Sequence, residues 1–253
     1  METVLRVQGI HKRYPGFALE NVSFSLAPNR IMGLIGKNGA GKSTTLKSIL
    51  HMVSPDSGRV ELFQQDFYRC EKACKQRIGV VFGGIAFYPL KPLSSITAVT
   101  RTFYKDWDPA QYRRYIERFA LDERKKFKEL SNGMQVKYLL ALALSHHAEL
   151  LILDEPTSGL DPVSREELLH IFRHLVAHEN CSILFSTHIT SDLDRCADDI
   201  TYIQNGRILQ SADRQTFLRA FDHLKTPEDT GPLTLEEIML RTEREAWNDD
   251  IAV

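Results

Sequence analysis

The 253-residue sequence predicts an α/β fold with a mostly parallel sheet, an N-terminal antiparallel β subdomain and a helical subdomain inserted into the core. Three observations predict it: short continuous apolar runs, an alternating stretch at the N-terminus, and a long segment of helix-forming residues in the middle. Strands covered on both faces read as unbroken apolar runs, whereas half-covered strands alternate with a period of two. Ile31-Met32 with Leu34-Ile35, Val80-Val81-Phe82, Leu150 to Leu153, and Ile183-Leu184-Phe185 are of the first kind. Leu5 and Val7 alternating with Arg6 and Gln8, and Val22, Phe24 and Leu26 alternating with serines, are of the second.

The remaining elements follow in order. Helices are expected over 94–104, 110–119 and 134–144, with no strong strand between them, so the helical insertion spans about residues 85–148. A final hairpin is expected from 200–203 and 207–210, because Asn205-Gly206 suits a two-residue turn. Residues 225–232 carry two prolines and a glycine and read as a linker, followed by a short helix over 234–247. One domain thus covers 1–222. A linker and helix cover 223–253, for which the sequence suggests no mechanism.

Composition narrows the function. The formal net charge of -1 leaves no global field that would favour nucleic acid or an anionic membrane surface. No apolar run approaches the roughly 18 residues of a membrane span. The N-terminus lacks a secretory signal pattern. Of the four cysteines, Cys70 and Cys74 are one helical turn apart, but no second pair completes a tetrahedral metal site. Reduced thiols in a cytosolic protein are the expectation.

Two motifs carry chemistry. Gly36-Lys37-Asn38-Gly39-Ala40-Gly41-Lys42-Ser43, with Thr44 behind it, matches the phosphate-binding loop G-x-x-x-x-G-K-[ST] between a buried strand and a helix. Glycines let the backbone turn its N–H groups toward phosphate, and the helix adds its positive end. Lys42 is placed to reach the β- and γ-phosphates, and the Ser43 hydroxyl to bind Mg2+. Leu150 to Leu153 then carry Asp154-Glu155 to the C-terminal edge of the sheet, where ligands of α/β folds bind. Asp154 is the second Mg2+ candidate and Glu155 the candidate general base. Together these residues indicate a P-loop nucleotide hydrolase core with Mg2+, and they do not say which kind.

Leu130-Ser131-Asn132-Gly133-Met134 resembles the L-S-G-G-Q signature of ABC ATPases, with departures at Asn132 and Met134. Ser158-Gly159-Leu160-Asp161 resembles that family's D-loop, and Phe185-Ser186-Thr187-His188 its switch histidine. Tyr14, before Pro15-Gly16, resembles the aromatic that stacks on adenine. The order of these elements matches the family from Tyr14 to His188. Ala86-Phe87-Tyr88-Pro89, Phe103 to Asp108, and Ser186 to Leu193 further resemble bacterial ATP-binding subunits of efflux-type transporters.

The resemblance implies an ATP-binding subunit that pairs head to tail with a second one, identical or different, around two Mg-ATP. Ser131, Asn132, Gly133 and Met134 would reach the partner's ATP, Asp161 would link the two sites, and His188 would contact the γ-phosphate. It also implies a separately encoded integral membrane permease as partner, no nucleic acid, and a cytoplasmic location on the inner face of the membrane. Two alternatives remain at this point: an ABC ATPase that moves no substrate, and a regulatory subunit of an asymmetric dimer. Gly83-Gly84 stands where the family usually has Gln, so the side-chain oxygen that would contact Mg2+ or water is not supplied there.

Overall fold

The computed structural model describes residues 2–82 and 88–251, with side chains described through 244. β1 (Leu5–Tyr14) and β2 (Phe17–Leu26) form an antiparallel hairpin in which Tyr14 pairs with Phe17 across Pro15-Gly16. β3 (Ile31–Ile35) is buried along its whole length and leads through the phosphate-loop sequence into α1 (Lys42–Ile49). β4 (Ser57–Leu62) and β5 (Gln65–Asp66) extend the hairpin into a small sheet of order β2-β1-β4-β5. β4 was not expected. Only Val60 and Leu62 alternate in it, and antiparallel pairing with β1 makes it a strand.

α2 (Glu71–Lys75) and β6 (Ile78–Phe82) come next. The inserted helices are α3 (Leu93–Thr100), α4 (Pro109–Arg118) and α5 (Asn132–Leu144), and the chain returns to the sheet as β7 (Leu150–Asp154). α6 (Pro162–His178), β8 (Ser182–Thr187), α7 (Thr190–Cys196), β9 (Asp199–Gln204) and β10 (Arg207–Asp213) complete the large sheet. Its order is β10-β9-β3-β8-β7-β6. All neighbours are parallel except the β9–β10 hairpin, which turns at Asn205-Gly206 as expected. α8 (Arg214–Ala220) and α9 (Leu235–Ile251) follow.

The apolar runs are continuous because the sheet is covered on both faces. Leu151, Leu153, Ile183 and Phe185 point into a core shared with the helices. Leu150, Ile152 and Leu184 point to the other side, against Val7, Val22 and Leu46 of the small sheet and α1. The segment after residue 222 shares the first core, since Leu233, Leu235 and Ile238 are buried in it.

Where α5 ends, His146 is buried and stacks on Tyr104 with ring centroids 3.6 Å apart. Its Nδ1–H donates to the Gln76 carbonyl at 3.1 Å. Burial pushes its pKa down to about 4 from the ordinary 6.5. A histidine depressed in the folded state favours folding above its unfolded pKa, and that contribution is lost as pH falls from 6.5 toward 4. Between pH 7 and pH 5 the wild type should therefore lose about 2 kcal/mol more stability than His146→Phe, which keeps the stacking ring. Denaturant unfolding at the two pH values tests this, and equal losses would contradict it.

Candidate nucleotide site

The loop after β3 is bent by glycines with positive φ, Gly39 at 83° and Gly41 at 113°. Gly36 is required for another reason: a Cβ there would stand 2.3 Å from the Ile203 carbonyl oxygen. The loop is also tied from within, by Ala40 N–H to the Lys37 carbonyl at 3.1 Å, and to β9–β10 by Gly206 N–H to the Ala40 carbonyl at 2.9 Å.

Lys42, the first residue of α1, is 5% exposed. Its ammonium donates to the Gly36 carbonyl at 2.7 Å and the Lys37 carbonyl at 3.3 Å, and pairs with Glu155 Oε1 at 3.1 Å. A buried ammonium is tolerated only when its charge and its N–H donors are matched, and here both are.

β7 delivers Asp154 and Glu155 to the same place. Ser43 Oγ donates to Asp154 Oδ1 at 3.0 Å, and Ser186 Oγ donates to the same oxygen at 2.6 Å. Ser186 Oγ in turn accepts from Glu155 N–H at 2.9 Å. Glu155 sits at φ 50°, a left-handed conformation that costs a non-glycine residue strain and is held here by the bonds around it. Its second oxygen meets His188 Nδ1 at 2.8 Å. Lys42 and His188 thus fix the carboxylate from two sides. The donors around Asp154 Oδ1 are hard oxygens, the kind Mg2+ prefers, so Ser43 and Asp154 fit that ion.

Lys37, Asn38, Gly39, Gly41, Lys42, Ser43, Thr44 and Glu155 line one open cleft together with Gly16 and Phe17. Gly36 and Ala40 form the loop backbone behind it. Tyr14 is not among the lining residues; it is 39% exposed, with the Lys12 ammonium 5.8 Å from its ring centre. Phe17, its partner across the hairpin, stands at the cleft instead. Phe17 and Ser186 carried no functional reading in the sequence. An aromatic directly after a Pro-Gly turn was the available signal for the first, whereas nothing in the sequence showed that a buried serine of β8 orients Asp154.

Ser131 and Asp161 cap helices. Ser131 Oγ accepts from Met134 N–H at 3.3 Å, and the Asp161 carboxylate accepts from the N–H groups of Val163 and Ser164. Hydrogen bonding to Ser164 lowers the Asp161 pKa. The two turns are neighbours: Gly133 faces Ser164 and Leu160, and Asn132 faces Gly159. Met134 is partly buried against the core. Among the described residues, no hydrogen bond or ion pair joins this set to the phosphate loop. Gly83 and Gly84 lie outside the described residues, and so does the expectation placed on them.

This geometry defines a P-loop nucleotide-binding protein. The family model for ABC transporters matches residues 19–158. The bacitracin transport ATP-binding protein BcrA of Bacillus licheniformis is 30% identical over 89% of this chain and 72% of its own length. The Nod factor export ATP-binding protein I of Ralstonia nicotianae is 33% identical over 81% of this chain and 65% of its own. The solved ATP-binding subunit of an ABC transporter superposes with a TM-score of 0.81 at 26% identity, covering 94% of this chain and 98% of that one. The chain belongs to the ABC transporter family, and its fold is that of the family's ATP-binding cassette.

Ser186→Ala removes one donor to Asp154 and one acceptor for Glu155 N–H. The expected cost is about 1–3 kcal/mol of unfolding free energy, with the hydroxyl-retaining Ser186→Thr closer to wild type. An unchanged denaturation midpoint for Ser186→Ala would contradict the orienting role.

Proposed function

We propose that this chain is the ATP-hydrolysing subunit of an exporter, dimerising around two Mg-ATP to drive substrate through a separately encoded membrane permease. The observation that carries the reading is the convergence of Lys42 and His188 on Glu155, which lines the cleft with Lys42. ATP is the substrate. Phosphate oxygens compete with Glu155 for the Lys42 ammonium, and the freed carboxylate, still oriented by His188, takes a proton from the attacking water. Mg2+, held by Ser43 and Asp154, would supply charge neutralisation at the phosphates.

Ser131, Asn132, Gly133 and Met134, beside the Asp161 turn, are proposed to face the ATP of a second ATP-binding subunit. Their separation from the phosphate loop within one chain supports that reading. ATP then favours the closed pair, and hydrolysis releases it.

For the permease, the supporting feature is an apolar groove between the inserted helices and the sheet, lined by Met52, Val80, Phe82, Tyr104, Leu139 and Leu142. Phe103 is 68% exposed and Val99 53% exposed on α3 and the turn after it. Exposed apolar side chains grouped in this way fit a partner's helix. No described helix is long and apolar enough to cross a membrane; in this reading the permease makes the crossing and the chain works at the inner face. Export rather than import rests on the relative named for Nod factor export.

Glu155→Gln keeps the shape of the site and removes the base, so an ATP-bound dimer should accumulate in saturating Mg-ATP. Multi-angle light scattering reads this directly. A persistent monomer would count against Glu155 as base and against ATP as the dimer's bridge. Tagged chain recovered from gently solubilised native membranes should bring down a multi-span protein. Recovery with ribosomes or DNA-bound proteins instead would overturn the transport role.

A further inference from the structure

The C-terminal helix reaches the phosphate loop through the Glu243 carboxylate. α9 is fixed at its start by Leu235 and Ile238 in the core and by a Thr234–Glu237 capping pair. It is also fixed in rotation, because Arg241 donates to the Leu224 carbonyl at 2.9 Å and pairs with Asp229. Two residues on, Glu243 turns toward the nucleotide site. Its Oε1 accepts from the buried Tyr202 hydroxyl at 3.2 Å and from Gln204 Nε2 at 3.0 Å, both at the end of β9. Its Oε2 pairs with Lys37 Nζ at 2.8 Å. Lys37 is the second residue of the phosphate loop and lines the cleft.

The loop does not need this pair for its shape. Its backbone is held by Lys42, by Ala40 N–H and by Gly206 N–H, as described above. What Glu243 acts on is the Lys37 charge. Two buried donors anchor the carboxylate, so it stays in place while the half-exposed lysine comes to it. An ammonium neutralised by a carboxylate at the mouth of the cleft adds little attraction for a triphosphate; a free one at the same mouth would add more.

We propose that Glu243 is a positioning residue of the nucleotide site, neutralising and tethering the Lys37 ammonium at the mouth of the cleft so that the C-terminal helix sets nucleotide affinity. The inference rests on the reading of this cleft as an ATP site. It gives the C-terminal helix, through Glu243, a role in that site. A partner that drew α9 away would release Lys37 and tighten ATP binding without touching the hydrolytic groups.

The test compares wild type, Glu243→Gln, Lys37→Ala and the double variant, all as full-length chain. ATP affinity is read with a fluorescent ATP analogue, and KM and kcat from phosphate release. Gln keeps an oxygen for Tyr202 and Gln204, so α9 stays docked and its melting temperature should match wild type. Glu243→Gln should bind ATP and lower KM by about two- to fivefold, the scale of an exposed ion pair, with kcat nearly unchanged. In the Lys37→Ala background the same substitution should have no effect. An unchanged or raised KM, or a shift that persists without Lys37, would overturn the inference while leaving the ATP site standing. A wild-type chain that does not bind the analogue would overturn the ATP reading and this inference with it.

Discussion

The buried ammonium of Lys42 is the constraint around which the site is arranged. A charge exposed to only 5% in a loop between a strand and a helix is stable only if its surroundings are built to receive it. The bent phosphate loop supplies two carbonyls, and Glu155 supplies the opposite charge. For Glu155 to be there, β7 must end beside β3's loop, which requires the strand order of the large sheet. For Glu155 to point inward, its backbone must adopt a positive φ, and Ser186 of β8 secures the peptide. One local charge thus depends on three strands and the loop between β3 and α1.

The same arrangement joins binding to chemistry. The side chain that balances Lys42 is also the one that meets His188, so whatever draws the ammonium toward phosphate changes the environment of the carboxylate. Ser43 and Ser186 share one oxygen of Asp154, which ties the start of α1 to β8 through the acid that β7 carries. These bonds are short-range and mutually supporting. A shift of one strand end would disturb all of them.

Most of the core was legible in the sequence because burial leaves a pattern. Runs such as Leu150 to Leu153 announce a strand covered on both faces, and the alternation around Val22 announces one covered on a single face. The phosphate loop and the acidic pair were legible because their chemistry restricts residue type at each position. β4 was not, since two apolar residues make no pattern and its pairing with β1 is a long-range fact. The part played by Ser186 was hidden for the same reason: a hydroxyl in an apolar strand means nothing until the strand beside it is known. Phe17 and Tyr14 are both aromatic and both next to the turn, so only the hairpin's geometry shows that Phe17 lines the cleft. The C-terminal helix was visible, but its hold on Lys37 joins residues at opposite ends of the chain.

The proposed function turns on hydrolysis of ATP in the cleft built on Lys42. The most direct measurement is phosphate release by the purified chain in Mg-ATP, run beside Lys42→Ala at equal protein concentration. Steady release by the wild type, with most of it lost in the variant, is the predicted result. Equal rates from the two proteins would place any hydrolysis outside this cleft and contradict the claim.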